Sequence, residues 1–266
     1  MTFDAKPEIR PEVKSETRRP APRELQVIRS TYVTPHMLRI TLGGDELAGF
    51  PPDQESAYIK LLFPQPGEAR PLMRTYTVRH QRATEIDVDF VIHDIAGPAS
   101  SWALNAKPGD IILVGGPGSK KLINPEADGF VLVGDMTALP AISVNLEQLP
   151  ADARGYAVLE VHSEADIQPL VHPENVQLHW VINPTPDPEG VTLRNYLSKL
   201  LWPQGQVSVW AACEFASMRM LRQYFREQGV AKSHLYISSY WKIGNSEDQH
   251  KVAKRDDAEQ EGMPIG

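Results

Sequence analysis

The segment Phe130-Val131-Leu132-Val133-Gly134 marks the point at which the sequence changes its pattern. It is a continuous apolar run, which is typical of a β-strand buried on both faces. Between Leu25 and Gly115, before this run, strand-like segments follow one another with little helix. After it, strand-like and helix-like segments alternate. The change in pattern predicts an all-β region followed by an α/β region.

The amino-terminal region is predicted to form a six-stranded antiparallel β-barrel. In its clearest strand, Ile86, Val88, Phe90 and Ile92 occupy every second position, as expected for a strand with one buried face. Turns rich in Gly and Pro separate the strand-like runs, which indicates a small closed barrel. The six runs are Leu25–Arg29, Met37–Leu42, Tyr58–Phe63, Arg74–Arg79, Ile86–His93 and Ile111–Val114.

The carboxyl-terminal region is predicted to form a doubly wound parallel α/β sheet, because its strands and helices alternate. Ligands of such sheets bind at the carboxyl ends of the strands. Three loops lie there: Asp135–Pro140, His162–Asp166 and Cys213–Ser217. The Gly-x-Gly-x-x-Gly fingerprint is missing, so a nicotinamide dinucleotide would have to bind through Thr137, helix amino-termini and loop side chains.

The predicted domain boundaries divide the chain into four parts. Residues 1–22 are charged and interrupted by prolines, and they are predicted to form a flexible tail. Residues 23–125 are assigned to the barrel and residues 126–241 to the α/β domain. Residues 242–266 are predicted to form a tail helix with both basic and acidic side chains.

Composition argues against several classes of protein. The formal net charge of -7 is unfavourable for binding nucleic acid, and no apolar run is long enough for insertion into a membrane. The single cysteine, Cys213, fits a reducing cytoplasm. The eight histidines are scattered without the spacing of metal ligands, so no metal held by the protein is expected. We expect a monomer.

The stretch Arg74-Thr75-Tyr76-Thr77 carries the first chemical signal. Side chains of a strand alternate between its faces, so Arg74 and Tyr76 are predicted to point one way and the two threonines the other. A cation beside an exposed ring suits a ligand that is anionic at one end and flat at the other, such as a flavin dinucleotide. An ordinary barrel strand, with a solvated arginine and a half-buried tyrosine, would give the same pattern.

Two further segments have the chemistry of anion sites. A short helix that opens on Gly97-Pro98 offers unpaired backbone N–H groups to a phosphate, although it could equally be a plug at one end of the barrel. In the tail helix, Lys251, Lys254 and Arg255 have the spacing of one helical face. With Lys60 they could line a pocket for an anion, and a solvated amphipathic helix is the alternative.

As an ordered set, these stretches resemble the siderophore-interacting protein family, the NADPH-dependent ferric siderophore reductases among the ferredoxin-reductase-like flavoproteins. The resemblance covers roughly residues 25 to 258. It rests on Arg74-Thr75-Tyr76-Thr77, Val88-Asp89-Phe90-Val91, Gly97-Pro98-Ala99-Ser100, Gly134-Asp135 with Thr137-Ala138-Leu139-Pro140, and Tyr240-Trp241-Lys242. It implies a barrel that binds FAD and a second domain that binds a nicotinamide cofactor.

The resemblance also implies roles for residues on the barrel. Arg74 is expected to pair with the FAD pyrophosphate, Tyr76 to pack on the isoalloxazine, and Thr77 to hydrogen-bond the ring near its reactive nitrogen. The backbone of Ala99 and Ser100 is expected to bind the pyrophosphate. The remaining barrel residues assigned to cofactor binding are Thr75, His93 and Gly97.

In the second domain, the resemblance implies that Asp135, Thr137 and Ala138 flank the flavin ring and the incoming nicotinamide. Trp241 is expected to close the far side of the ring. Tyr76, Thr77 and Asp135 are the residues expected to be catalytic. For the substrate, the expected residues are Lys60, Lys254 and Arg255.

Three positions depart from the pattern of the family. Met136 stands where many members carry Glu, which leaves a detail of substrate contact open. Cys213 and Ser239 stand where Gly is common. Both lie on the nicotinamide side, so either NADPH or NADH is open as the electron donor.

The function implied is reduction of ferric siderophores by NADPH or NADH through FAD, with release of Fe(II) in the cytoplasm. A nicotinamide gives two electrons together, whereas ferric iron accepts one, and a flavin can take the pair and return it singly. Two alternatives stay open at this point. One is a general flavin or ferredoxin-type reductase, and the other is a protein that carries siderophores or haem without catalysis.

Overall fold

The computed structural model describes residues 21–65, 67, 70–93 and 97–260. The predicted flexible tail therefore lies outside the described residues except for Ala21 and Pro22, and so do residues 261–266 of the predicted tail helix. The twelve strands and five helices within the described ranges form two sheets with helices around the second one.

The first sheet has seven strands, all paired antiparallel, in the order β4-β3-β7-β1-β2-β6-β5. Although β4 and β5 stand at opposite ends of this order, only Val78 and Arg79 separate them in the sequence. The backbone N–H of Arg79 also donates to the carbonyl of Asp87 in β6, at 2.8 Å. The sheet therefore curls round on itself as a barrel. Its strands are β1 (Arg23–Thr34), β2 (Met37–Gly43), β3 (Tyr58–Phe63), β4 (Leu72–Thr77), β5 (His80–Gln81), β6 (Glu85–Val91) and β7 (Ile111–Gly115).

The fold class predicted for this region is confirmed, with one strand more than expected. The run predicted as Arg74–Arg79 ends at Thr77, and the chain then turns into β5. This extra strand has two residues, too few for a periodic pattern to reveal it.

The interior of the barrel is filled by the alternating apolar side chains of its strands. Ile86, Val88 and Phe90 of β6 are completely buried, and helix α1 (Pro98–Asn105) packs against the same core through Ala99 and Ala103. Ring packing continues from α1 into β4, because Phe90 contacts both Trp102 and Tyr76. The helix thus covers the barrel core beside the strand that carries Arg74.

The second sheet has five parallel strands in the order β10-β9-β8-β11-β12. Its apolar side chains alternate between two cores: Leu132 and Trp210 lie on the face covered by α2, and Val131 and Val209 on the face covered by α3 and α4. The prediction of a doubly wound sheet is confirmed. The elements are β8 (Gly129–Gly134), α2 (Leu139–Gln148), β9 (Gly155–Val161), β10 (Val176–Ile182), α3 (Thr192–Leu197), β11 (Val207–Glu214), α4 (Phe215–Glu227) and β12 (Leu235–Trp241).

The barrel and the second sheet are packed together at their junction. Met37 of the barrel is buried in the core beneath α2, with Val33 and Val91 beside it. The carbonyl of Lys121, in the connecting segment, accepts hydrogen bonds from Ser56, Asn145 and Trp210. The boundary between residues 125 and 126 stays a prediction. Among the described residues no helix is long and apolar enough to cross a membrane.

Helix α5 (Glu247–Gln260) follows β12 and bridges the two sheets. His250 is buried and hydrogen-bonds Ser239 of β12, with 2.8 Å between Nε2 and Oγ. Asp257, also buried, pairs with Arg222 at 2.8 Å and with Arg219 at 3.3 Å, both on α4. At the other end of α5, Glu247 reaches β4 of the barrel.

Candidate functional site

A cleft opens between the barrel and the carboxyl ends of the parallel strands, where the sequence predicted ligand binding. The barrel contributes Val91 and His93 to its walls. Every other wall residue follows the end of a parallel strand or lies at that end. These residues are Asp135, Met136, Thr137, Glu160, His162, Asn183, Pro186 and Trp241.

Asp135 is buried at the back of this cleft, and both of its carboxylate oxygens are occupied. Oδ1 accepts hydrogen bonds from the backbone and the hydroxyl of Thr137, at 2.9 and 2.5 Å. Oδ2 accepts from the backbone of Glu214 at 2.9 Å and from the indole Nε1 of Trp241 at 2.8 Å. Burial raises the pKa of Asp135, while these hydrogen bonds oppose the rise. With no free acceptor, Asp135 is suited to hold Trp241 in place rather than to contact a reacting group itself.

Glu160 is a cleft residue that sequence reasoning missed. It lies near the end of β9, and burial, followed by repulsion from Asp135, raises its pKa to about 7. A carboxylic acid in this range changes its charge near neutral pH. Glu160 stands in an apolar strand run, where the sequence alone gives no sign that its side chain faces a ligand cleft.

Three histidines that are far apart in the sequence meet beside the cleft. His162 packs its ring against His36 and against His93, with centroid distances of 5.4 Å in both cases. Although the histidines are scattered along the sequence, the packing of the barrel on the sheet brings these three together. Among the described residues no group of His, Cys, Asp or Glu has the geometry of a metal site.

Asp166 anchors this histidine cluster. It is completely buried and accepts hydrogen bonds from Thr34, from the backbone and ring of His36, and from Ser163. Burial pushes the pKa of Asp166 upwards, but the hydrogen bonds from His36, Ser163 and Thr34 outweigh it and hold the pKa below its usual value. Because Thr34 and His36 belong to the barrel and Ser163 to the loop after β9, the carboxylate ties the two walls of the cleft together.

The strand β4 presents the predicted flavin residues as an alternating pattern. Arg74 and Tyr76 lie on the less exposed face and Thr75 on the exposed one, and Thr77 is intermediate. Tyr76 packs one side of its ring on Phe90, at 4.3 Å between centroids. Arg74 has a side chain that is only 17% exposed, and among the described residues its ion-pair partner is Glu247, 4.0 Å away. Its Nη1 donates to the carbonyl of Met73 at 2.9 Å.

The opposite face of β4 carries a different set of contacts. Lys60 of β3 is directly opposite Thr75 in the sheet and donates to its hydroxyl. Glu247 of α5 accepts hydrogen bonds from the backbone and the hydroxyl of Thr75, at 3.2 and 2.9 Å. Thr75, predicted to bind the cofactor, is thus bound to the carboxyl-terminal helix.

The segment from Gly97 to Ser100 forms the expected helix start. Gly97 precedes α1, Pro98 stands in its first turn, and no side chain of the described residues caps its first N–H groups. Ala99 is buried, and Ser100 donates its hydroxyl to the carbonyl of Val91 at the cleft wall. Helix α2 likewise begins after Ala138 without a side-chain cap, directly beyond Thr137.

The two basic residues predicted on α5 differ in their surroundings. Lys254 directs its amino group inwards and donates to the hydroxyl of Ser238 at 2.7 Å. Burial lowers the pKa of Lys254, and the neighbouring charges of Lys121 and Lys60 lower it further. Arg255 is exposed, and none of the described residues forms an ion pair with it. The structure therefore brings Lys254 towards Lys60 and leaves Arg255 on the flank.

The three departures from the family pattern have distinct environments. Met136 is buried at the cleft wall. Cys213 is completely buried, and burial, together with the nearby carboxylates, raises the pKa of its thiol. Ser239 hydrogen-bonds His250, so it anchors α5.

The residues present fit FAD on the evidence of this geometry. A largely buried guanidinium whose ion pair within the described residues is as long as 4.0 Å, and a helix start that none of their side chains caps, suit a pyrophosphate. Tyr76 and Trp241 supply aromatic surfaces for a flat ring, and Asp135 fixes the second of them.

Comparison with known proteins gives a consistent result across the whole fold. Residues 127–244 match the family model described as siderophore-interacting protein, and residues 26–70 and 65–121 match the model described as siderophore-interacting FAD-binding domain. Ferric vibriobactin reductase ViuB of Vibrio cholerae is 35% identical over 260 residues, which cover 90% of this chain and 96% of ViuB.

Solved structures of related proteins have the same fold as this chain. The siderophore-interacting protein SipS from Aeromonas hydrophila superimposes with a TM-score of 0.80 and 37% sequence identity, covering 90% of this chain and 98% of SipS. Ferredoxin-NADP+ reductase from Plasmodium falciparum, at 14% identity and a TM-score of 0.62, shares the fold over 82% of this chain and 96% of its own. The barrel, the parallel sheet and the matches over both of them show that the chain belongs to the siderophore-interacting protein family.

Proposed function

We propose that this protein is a flavin-dependent reductase that passes electrons from NADPH or NADH, through FAD, to ferric siderophores and releases Fe(II) in the cytoplasm. The match of the barrel to the siderophore-interacting FAD-binding domain supports the flavin. The ferric vibriobactin reductase among its relatives supports a ferric chelate as the electron acceptor. The observation that carries the proposal is the cleft that Val91 and His93 of the barrel line together with Asp135 and Trp241 of the sheet.

FAD would supply the conversion of an electron pair into single electrons. Arg74 and the start of α1 would bind its pyrophosphate by charge-assisted hydrogen bonds. Tyr76 and Trp241 would orient its ring, and Asp135 would position Trp241. The hydroxyl of Thr77 would hydrogen-bond the edge of the ring.

The remaining residues would bind the two substrates. Thr137 and Ala138, at the start of α2, would bind the nicotinamide cofactor at the carboxyl end of β8. Lys60, Lys254 and Arg255 would attract a ferric chelate that carries negative charge.

Glu160 would hold or lose a proton at its carboxyl group as the pH passes through neutrality.

The first test is the absorption spectrum of the purified protein before and after addition of FAD. We expect flavin bands that remain after gel filtration. A protein that shows none, even with excess FAD, would contradict the proposal.

The second test is anaerobic stopped-flow reduction of the flavin by NADPH and NADH, followed by reoxidation with a panel of ferric chelates. We expect at least one nicotinamide to reduce the flavin and anionic ferric chelates to reoxidise it fastest at low salt. Equal rates with unrelated acceptors would favour a general reductase. A bound flavin that neither nicotinamide reduces would favour a carrier.

A further inference from the structure

Glu247, the first residue of α5, directs its carboxylate into a group of cations at the edge of the barrel. Besides the two hydrogen bonds from Thr75, its oxygens lie 3.6 Å from Nζ of Lys60, 3.3 Å from Nζ of Lys251 and 4.0 Å from Nε of Arg74. Its side chain is only 15% exposed. The carboxylate is thus enclosed among three positive charges that come from β3, β4 and α5.

The helix does not need this carboxylate to begin at residue 247. Ser246 and Gln249 form a reciprocal capping box: the backbone of Ser246 donates to the Gln249 side chain at 2.8 Å, and the backbone of Gln249 donates to the Ser246 hydroxyl at 3.3 Å. His250 and Asp257 anchor the rest of α5 to β12 and α4. The start of α5 thus does not require the carboxylate of Glu247, which contacts β4 and the surrounding cations instead.

The cations around Glu247 overlap with those proposed to attract the substrate. Lys60 contacts Glu247 directly, and Lys254, two turns along α5, is close enough to Lys60 for their charges to interact. An anionic chelate that approached Lys60 would meet the carboxylate of Glu247 at the same place. Like charges at contact distance repel, and a carboxylate already bound to these cations competes for them.

We infer that Glu247 is a specificity-determining residue of the substrate site, whose carboxylate competes with the anionic oxygens of a ferric chelate for Lys60 and Lys251. The inference rests on the proposed function. It follows that removal of the Glu247 charge increases the affinity of the protein for a chelate, and that this increase is larger for chelates with more negative charge. The affinity for an uncharged chelate should change little. Glu247 would therefore limit how tightly the most anionic chelates are held.

The experiment measures binding rather than turnover. Gallium(III) complexes serve as probes, because gallium is not reduced under these conditions: a trianionic tris-catecholate and an uncharged trihydroxamate. Each is titrated into the flavin-loaded protein, with quenching of tryptophan fluorescence as the readout. The variants are Glu247→Gln and, as a matched control, Glu259→Gln, which removes the same charge from an exposed side chain near the end of α5.

We expect Glu247→Gln to bind the tris-catecholate roughly 10-fold more tightly than wild type at low salt, with a steeper salt dependence. The affinity for the trihydroxamate should change by less than about 2-fold, and Glu259→Gln should behave like wild type. An unchanged or weaker affinity of Glu247→Gln for the tris-catecholate, or an equal gain for both complexes, would overturn the inference. Glu247→Ala provides a second variant, and the unfolding temperature of each variant shows that α5 remains docked.

Binding by the wild-type protein distinguishes a failure of the role of Glu247 from a failure of the proposed function. If wild type binds FAD and the tris-catecholate but Glu247→Gln gives no gain, only the role of Glu247 is overturned. If wild type binds neither, the proposed function is overturned and the inference with it.

Discussion

The indole nitrogen of Trp241 and the carboxylate of Asp135 are joined by a hydrogen bond of 2.8 Å across the carboxyl ends of β12 and β8. The same oxygen of Asp135 accepts the backbone N–H of Glu214 at the end of β11, at 2.9 Å. One buried carboxylate therefore ties together three neighbouring strand ends. The orientation of Trp241 in the cleft depends on an acceptor in the centre of the sheet.

Replacement of Asp135 by Asn tests this arrangement. All four groups around the carboxylate are donors in the native protein, so an amide NH2 would face at least one other donor. An unsatisfied buried donor costs about 1–3 kcal/mol of the free energy of unfolding. We expect a loss of this size in urea unfolding, together with weaker binding of FAD as measured by quenching of flavin fluorescence.

Trp241→Phe provides the partner for a double-mutant cycle, because phenylalanine keeps an aromatic ring but lacks the indole N–H. If the two side chains act as one unit, the losses of FAD affinity in Asp135→Asn and Trp241→Phe should be less than additive, with a coupling of about 0.5–3 kcal/mol. Strictly additive losses would show that Asp135 does not act through Trp241.

Glu160 should make stability depend on pH around neutrality. Its pKa is raised to about 7 in the folded protein, whereas an unfolded glutamate has a pKa of about 4.3. Between these two pKa values the unfolded chain releases the proton while the folded protein keeps it, so the folded state loses stability as the pH rises to about 7. Above that pH the loss stays constant. We expect Glu160→Gln to be more stable than wild type by about 1–3 kcal/mol at pH 8, with little difference near pH 4.

The measurement for Glu160 is urea unfolding of both proteins across this pH range. Glu164→Gln, at an exposed position after β9, serves as the control and should follow wild type. A difference between Glu160→Gln and wild type that does not vary with pH would indicate a change in packing rather than a shifted ionisation.

Much of the fold could be predicted because the spacing of apolar residues within short segments indicates strands and their burial. The continuous apolar run at Phe130–Gly134 and the alternation at Ile86, Val88 and Phe90 identified the two sheets and their different burial. The rule for parallel sheets also predicts that Asp135 and His162 lie at the edge of the sheet where ligands bind. These inferences need only neighbouring residues.

The contacts that shape the site could not be predicted in this way. Glu247 and Thr75 meet although 172 positions separate them, and the cluster of His36, His93 and His162 exists only because the barrel packs on the sheet. The hydroxyl of Ser239, one of the departures from the family pattern, hydrogen-bonds His250 of α5. The periodic pattern of the sequence does not predict such contacts between residues that are distant in the chain.

The hydrogen bonds between Asp166 and His36 should stabilise the folded protein at neutral pH and lose this effect in acid. Hydrogen bonds hold the pKa of Asp166 below its usual value in the folded state, so its stabilisation is present above the unfolded pKa of about 3.9 and is lost as the pH falls through the folded pKa. We expect Asp166→Asn to be less stable than wild type at pH 7 by about 1–3 kcal/mol. The difference should shrink on acidification below about pH 4. Thermal unfolding at pH 7, 5 and 3 would measure it, and a constant difference would contradict this account.

The basic residues near β3 and α5 should affect ferric chelates unequally. Lys60 lies among the charges of the proposed substrate site, whereas Arg255 is exposed on the flank of α5. We expect Lys60→Ala to lower kcat/KM for a ferric tris-catecholate by about 10-fold at low salt, and Arg255→Ala to lower it by less, because screening weakens an exposed charge. Turnover of an uncharged ferric trihydroxamate should fall less than catecholate turnover in both variants. Lys199→Ala, which removes an exposed charge between α3 and β11, is the matched control and should behave like wild type. Equal losses on both acceptors would remove Lys60 from the substrate site, since the defect would then lie in electron transfer rather than in attraction of the chelate.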